Sequence, residues 1–276
     1  MTRFFLSTIL AGLALARPSM AASVPSVVPM IQTGYRQMYN LEFDGAHQTF
    51  AQFEQQSPND PLGHVSNAAA YLFAEFDRLN ILQSEFFVND DRFRRAKKLT
   101  PDAAVRQAFD RELAKAEELA NGILARSPQD TDALFANILV MGLRADYAAL
   151  VEKRYLDSLR VIKNSRETAE KLLAIAPNYY DAYLAIGVEN YMLSLKAAPV
   201  RWLLSLSGAQ VDRERGIQNL RLTAEKGQYL SPYARLLLAV AAMRNKDWTQ
   251  ARDLLAALVR DFPHNKLYSE ELAQLQ

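Results

Sequence analysis

The chain contains no cysteine, which excludes disulfides, thiolate metal sites and lipid attachment at a cysteine. Glycine is scarce, with 10 in 276 residues, and no sustained alternation of apolar and polar residues indicates a sheet. The three histidines, His47, His64 and His264, are isolated in sequence, so we expect no bound metal ion. The hydrophobic core must hold the fold without disulfides.

An excess of charge of either sign is also missing. Lys and Arg total 32 against 31 Asp and Glu, which leaves no electrostatic footprint for nucleic acid or anionic lipid. The one local concentration is a basic run from Arg92 to Lys98, which has acidic neighbours at Asp90, Asp91 and Asp102. This pattern favours an exposed helix surface. Contact of the run with an acidic partner is the alternative.

Motifs for catalysis are missing as well. The sequence has no Gly-x-Ser-x-Gly elbow and no glycine cluster before a Lys-Ser or Lys-Thr pair. The carboxylate pairs 117–118 and 270–271 fall in helical patterns, where adjacent side chains point to different faces. We therefore expect no catalytic residue, no cofactor and no enzymatic activity.

Residues 1–22 have the pattern of a secretory signal peptide. Arg3 precedes an apolar run over 4–16, which is shorter than the roughly 20 residues of a membrane span. Small residues at 19–22 then offer a cleavage site after Ala21 or Ala22. We expect a periplasmic or secreted mature chain with no transmembrane span. Loss of Arg3 and Arg17 would leave it 30 basic and 31 acidic residues, a net charge of −1.

The remainder, 23–276, is predicted to form a single all-α domain. Ala, Leu, Glu, Arg and Gln dominate its periodic segments, and these residues favour helix. Prolines 58, 128, 177 and 263 each end a helical pattern, and Gly227 is expected to end another in the left-handed conformation. The predicted pairs are 26–39 with 42–57, 60–79 with 101–127, 130–146 with 147–176, a helix after Pro177 with 211–226, and two helices within 229–263. Two insertions, 80–100 and 196–210, and a C-terminal capping helix, 266–276, complete the prediction.

The clearest repeat unit is 229–263. Trp248, Ala251, Leu255 and Leu258 lie 15, 12, 8 and 5 residues before Pro263, and a short polar turn precedes them. This stretch resembles the tetratricopeptide repeat (TPR), a helix-turn-helix unit with small residues where its helices cross. The chain as a whole is similar to exported bacterial proteins of this class that carry long insertions. The resemblance implies a superhelix of about five pairs, in which Trp248 is buried and Ala251 lies at a close crossing.

The resemblance is fair at 42–58 and 177–191 and weaker elsewhere, and Asn190 stands where family members usually carry an aromatic residue. In the family, the first helices of successive pairs line a concave groove. Transferring that spacing gives an almost wholly apolar set: Val65, Ala69, Leu72, Phe135, Leu139, Gly142, Leu184, Val188, Tyr191, Leu236, Val240 and Met243. The Lys, Arg and Asn residues with which relatives clamp a peptide carboxylate are missing from it.

Two explanations fit an apolar groove. The insertions can fill it, with Trp202 and Leu203 docked at its edge and a partner site left beside Tyr191 and Arg201. Alternatively the groove stays open for an apolar segment of a partner or for a lipid-like ligand. We expect the first, and with it a scaffold for protein–protein interaction in the cell envelope. The alternative function is carriage of a small apolar ligand or lipid.

Overall fold

The computed structural model describes residues 29–81, 100–196 and 208–275, and these form helices and short connections without a strand. The all-α prediction is confirmed. The α-helices of this part are α1 Pro29–Tyr39, α2 Phe43–Gln56, α3 Pro61–Arg78, α4 Ala103–Leu124, α5 Thr131–Asp146, α6 Tyr155–Ile175, α7 Tyr183–Ser194, α8 Arg213–Lys226, α9 Ser231–Arg244, α10 Trp248–Asp261 and α11 Lys266–Ala273. The predicted signal peptide and most of both insertions lie outside the described residues.

Aspartate side chains fix the starts of five helices. The carboxylate accepts a hydrogen bond from a backbone N–H in the first turn, which satisfies a donor that has no partner within the helix. The five N-caps are Asp60, Asp102, Asp130, Asp212 and Asp247. Pro61 adds a first-turn proline to α3. These local signals explain why most helix starts fall within a few residues of their predicted positions.

The second helix of the third pair begins later than predicted. After α5 the chain makes a π-helical turn, Tyr147–Val151, and the path breaks before α6 begins at Tyr155. Lys153, within the break, has a φ of 60°, which no helix interior allows. The predicted helix over 147–176 is therefore divided into a π turn and a shorter α-helix.

Each helix packs against the next along the chain, and α3 also packs on both α1 and α5. One helical stretch among the described residues, Thr131–Val151, is long and apolar enough to cross a membrane. Of its apolar window, 61% is buried inside the fold, as for the core helix of a globular domain. The first helices of the pairs thus form an inner layer around which the second helices are arranged.

The two ends of the helix array meet. The ring of Tyr39, at the end of α1, lies 5.7 Å from that of Phe262, and Asn265 Nδ2 donates to the Tyr39 carbonyl at 2.7 Å. About one turn earlier in α1, the Tyr35 ring lies 5.4 Å from the ring of Tyr229, just before α9. A single buried cluster includes residues from every described α-helix except α8. The inner layer therefore surrounds an interior space instead of an open concave face.

Gly227 does end α8, but not in the left-handed conformation that was expected. Its φ and ψ are −65° and 145°, which is extended backbone. A Cβ there would lie 2.6 Å from the Thr223 carbonyl oxygen and 2.8 Å from Asp181 Oδ1. Glycine is required because the chain passes close to the Asp181 carboxylate, which accepts hydrogen bonds from the backbone N–H groups of the next three residues, 228–230.

The prediction that Trp248 is buried is also wrong. Its side chain is 44% exposed, whereas Ala251 is fully buried as expected. Trp248 is the first residue of α10, and helical side chains lean towards the N-terminus. The indole is therefore directed past the start of the helix, where it is partly exposed.

Asn190, the departure from the aromatic of the TPR pattern, is fully buried. Its Oδ1 accepts from the backbone N–H of Asp212 at 3.0 Å, and its Nδ2 donates to Gln210 Oε1 at 3.1 Å. An aromatic side chain could not make these bonds. Asn190 instead ties α7 to the segment that leads into α8.

Candidate functional site

The interior space consists of two adjoining cavities. We call them the inner cavity, of about 90 Å³, and the outer cavity, of about 180 Å³. The residues that border both are Ala145, Asp146, Ile162, Val188 and Tyr233. Because these side chains are shared, the two cavities meet at the end of α5.

The residues that line the two cavities differ in exposure. None of the described residues that line the inner cavity is exposed, and they come from α1, α3, α5, α6, α7 and α9 with their adjoining turns. The outer cavity is bordered by Met192, which is 37% exposed, and by exposed Lys196. A molecule entering from this side would reach the junction at Asp146 and Tyr233 before the inner cavity.

The groove positions expected from the TPR resemblance fall into three groups. Ala69, Leu139, Gly142, Leu184 and Val188 line the inner cavity. Val188, Tyr191 and Val240 border the outer cavity. The other described positions are buried in the core away from both cavities: Val65, Leu72, Phe135, Leu236 and Met243. Arg201 and Trp202, with the proposed docking at the groove edge, lie outside the described residues.

Closure of the array explains the core group. The Phe135 ring packs 4.9 Å from Tyr179 and 6.1 Å from Tyr229, so the segment before α9 covers this part of α5. In an open superhelix the same position would face the groove. The spacing rule therefore identifies the inner layer but does not show which part of that layer remains uncovered.

Asp146 places a carboxyl group at the junction of the two cavities. It is the last residue of α5, directly before the π turn, a distortion often found at functional sites. Its Oδ2 accepts a long hydrogen bond of 3.4 Å from the Tyr233 hydroxyl. Burial raises the pKa of Asp146 to about 7, and the Tyr233 hydrogen bond opposes this only in part.

The other carboxylates at the cavities are better compensated. Asp181, in the inner wall, accepts three backbone hydrogen bonds, which counteract the burial that raises its pKa. Glu189 Oε2, at the outer cavity, lies 2.5 Å from Nε of buried Arg166. Among the described residues, Asp146 is thus the cavity carboxyl without a cation or a backbone N–H as partner.

Sequence reasoning did not single out Asp146, although a signal was present. Arg144 and Asp146 are the charged residues in the apolar stretch 133–151. Arg144 turns outward and makes two hydrogen bonds to Glu117, at 2.8 and 2.7 Å. A carboxyl in such a stretch must be paired elsewhere in the fold or must serve a site.

A second polar cluster lies at the meeting of α2, α3 and α4. His64 Nδ1 is 2.8 Å from Glu112 Oε2 and 3.6 Å from Glu54 Oε1. The ligand atoms of the three residues lie within 4.8 Å of one another, so they could hold a metal ion. The sequence contains no local signal for the cluster, because its members come from three helices. Without a metal ion, the contacts of His64 with the two glutamates would connect neighbouring helix pairs.

The chain matches no protein-family model and no curated protein. The functional interpretation therefore rests on the fold and on the chemistry of the two cavities.

Proposed function

We propose that this protein is a non-catalytic, TPR-like binding protein that holds a small, mainly apolar ligand in the inner and outer cavities. The observation that carries the proposal is the combination at the junction. A mainly apolar space, whose inner part is lined by residues none of which is exposed, is bordered by a carboxyl with a single long hydrogen bond. Ligand pockets typically combine apolar walls with a few polar groups that orient the ligand.

The size and the walls of the cavities support a ligand. A water molecule needs roughly 10–15 Å³ of such space, so both cavities exceed the room for one water many times. Leu139, Leu184 and Val188 offer water few hydrogen bonds in the inner cavity. A hydrocarbon chain would replace poorly bonded water there, which is favourable by about 25 cal/mol per Å² of apolar surface buried.

The TPR assignment belongs to this proposal. The TPR assignment is supported by the sequential helix pairs and by the buried face of α10. That face contains Ala251, Leu255 and Leu258, all fully buried. A TPR array that closes on itself would convert the usual peptide groove into an internal chamber. This geometry favours a small ligand over an extended peptide.

Filling the inner cavity tests the proposal. Gly142 borders this cavity, and a Cβ at its position would have no neighbour within 4 Å. Gly142→Phe should place a ring in the space and weaken binding of an apolar dye such as 1-anilinonaphthalene-8-sulfonate or Nile red by about tenfold or more, through loss of buried apolar area. Dye fluorescence titration, with circular dichroism to verify folding, measures this.

Gly122 supplies the matched control. It is also a helical glycine with no neighbour within 4 Å of an added Cβ, but it lies on the exposed surface of α4. Gly122→Phe should leave dye binding unchanged. If the two variants bind dye equally well, the cavity is not the binding site. Mass spectrometry of small molecules that co-purify with the wild type and not with Gly142→Phe would identify the natural ligand.

Protein–protein interaction is the second candidate, and the exposed Trp248 favours it. Tryptophan is enriched among the residues that dominate binding energy at interfaces, and this one is 44% exposed. A partner that crosslinks to the wild type in envelope extract should be lost with Trp248→Ala. It should be retained with Ile175→Ala, which alters a residue at the end of α6 that is 36% exposed. Loss with both variants or with neither would remove Trp248 from the proposal.

Export to the periplasm or the exterior completes the proposal, on the pattern of residues 1–22. Mature protein from the native host should begin at Ala22 or Ser23, as N-terminal sequencing would show. Soluble cytoplasmic protein that retains Met1 would overturn this part.

A further inference from the structure

We propose that the ligand carries a primary ammonium or similar cationic group, and that this group pairs with the Asp146 carboxylate where the two cavities meet. The inference rests on the proposed function and specifies the ligand class for the same site. An aliphatic amine is the simplest molecule with this chemistry, since its chain suits the apolar walls and its head suits the acid.

The hydrogen-bond inventory at the junction supports a donor ligand. The Tyr233 hydroxyl donates to Asp146 Oδ2, so the tyrosine proton is already used. The carboxylate can accept several more hydrogen bonds, and no other described side chain or backbone group supplies one. An ammonium offers three donors and the opposite charge, and hydrogen bonds between charged groups are about twice as strong as neutral ones.

The electrostatic surroundings favour a cation over an anion at this point. Asp181 and Glu189 also border the cavities, but backbone N–H groups and Arg166 respectively compensate them. The cost of burying the Asp146 charge, seen in its raised pKa, is not compensated in this way. A cationic head would offset that cost, whereas an anionic head would add to it.

Two basic residues, Lys196 and Arg244, border the outer cavity and define the competing arrangement. A fatty acid could insert its chain and leave its carboxylate beside them. The two orientations differ in the charge of the head group and in their dependence on Asp146. A series of ligands with equal chains and different heads can therefore separate them.

The experiment compares octylamine, 1-octanol and octanoate by isothermal titration calorimetry at pH 8, where Asp146 is ionised and the amine is protonated. The wild type should bind octylamine about tenfold or more tighter than octanol, as for a hydrogen bond between charged partners. Asp146→Asn should reduce this preference to less than about threefold while octanol affinity is maintained. Asp157→Asn, at an aspartate that is 51% exposed on α6, should retain the full preference.

The other possible outcomes distinguish a failure of the cationic-ligand inference from a failure of the proposed function. Equal affinity for octylamine and octanol in the wild type would overturn the cationic ligand and leave the cavity as an apolar site. Octanoate as the tightest ligand, unaffected by Asp146→Asn, would overturn it in favour of a head group near Lys196 and Arg244. If no ligand of the series binds and Gly142→Phe does not alter dye binding, the proposed function itself is wrong. Circular dichroism of the Asp146→Asn protein excludes misfolding as the cause of a lost preference.

Discussion

The inner cavity has a carboxyl group on each of two sides, and their surroundings differ. At one side, the carboxylate of Asp181 accepts backbone N–H bonds at 2.8, 3.1 and 2.8 Å and fixes the chain between α8 and α9. At the other, Asp146 receives one hydroxyl at 3.4 Å and borders open space. Burial raises the pKa of both groups. Burial alone therefore does not distinguish a structural acid from a binding acid, and the hydrogen-bond partners do.

The largest expected effect on stability comes from removing the Asp181 carboxylate. Asp181→Ala leaves three backbone donors without an acceptor, each at a cost of about 1–3 kcal/mol, partly offset by removal of a buried charge. The free energy of unfolding should fall by roughly 3–5 kcal/mol, as measured by urea denaturation at pH 7. Asp146→Asn, measured in parallel, should not lower it, because this substitution removes a buried charge and leaves no backbone donor unpaired. Similar losses in the two variants would refute the distinction between the two acids.

The raised pKa of Asp146 should be visible in the pH dependence of the free energy of unfolding. In the unfolded chain this carboxyl titrates near its ordinary value of 3.8, whereas in the folded protein its pKa is about 7. Between these values the folded state holds a proton that the unfolded state has lost, so the free energy of unfolding decreases as the pH rises from about 4 to 7. Above pH 7 the contribution is constant.

Other acids titrate in the same range, so the measured quantity is the difference between wild type and Asp146→Asn. That difference should fall by roughly 2–4 kcal/mol across the window, with water in the cavities reducing it towards the lower figure. Urea denaturation at half-unit intervals of pH would follow it. A difference that does not vary with pH would mean that Asp146 is as well solvated as a surface acid.

Two glycines allow the space at the Asp181 side of the inner cavity to be compared with the space at the Asp146 side. At the Asp181 side, a Cβ at Gly227 would press on Asp181 and Thr223, whereas at the Asp146 side a Cβ at Gly142 would meet nothing within 4 Å. Gly227→Ala should destabilise by about 1–3 kcal/mol. Gly142→Ala should stabilise by roughly 0.5–1 kcal/mol, because alanine favours helix. Thermal unfolding midpoints that move in the same direction would contradict this assignment of crowded and open space.

The smallest expected effect on stability concerns Glu112, an acid whose hydrogen-bond partner, His64, itself titrates. The hydrogen bond that the His64 ring donates to the Glu112 carboxylate raises the pKa of His64 above its ordinary value of 6.5. Its stabilising contribution is complete below pH 6.5 and is lost as the pH rises through the folded pKa. Relative to His64→Gln, the wild type should lose roughly 0.5–1 kcal/mol above that pKa, as for a partly exposed ion pair. A constant difference between the two from pH 5 to 9 would be inconsistent with this coupling.

Local chemistry explains what could be predicted from the sequence. The aspartate N-caps and the prolines after helical patterns act within a few residues, so α3, α4 and α5 lie close to their expected ranges. The inner layer follows from the spacing of residues such as Leu139 and Leu184, which border the inner cavity. Both kinds of signal are contained in single helix pairs.

Several of the failures involve contacts between distant parts of the chain. Gly227 is extended because it passes Asp181, 46 positions earlier in the numbering, and Phe135 is covered because Tyr229 packs on it. The isolation of Asp146 depends on Tyr233 and on the walls contributed by six helices. Helical periodicity cannot report which groups from other pairs will, or will not, meet a given side chain.

The meeting of α1 with the C-terminal helices has a consequence for folding. In a linear repeat array each unit contacts only its neighbours, so unfolding can start at an end and spread gradually. Here Asn265 bonds to the Tyr39 carbonyl across 226 positions, and the entropy of closing so long a loop must be overcome before that contact forms. Local helix pairs should therefore form early and the junction of the ends late. Hydrogen exchange should show the two ends losing protection together in one cooperative event, with the walls of the cavity assembling in the last step of folding.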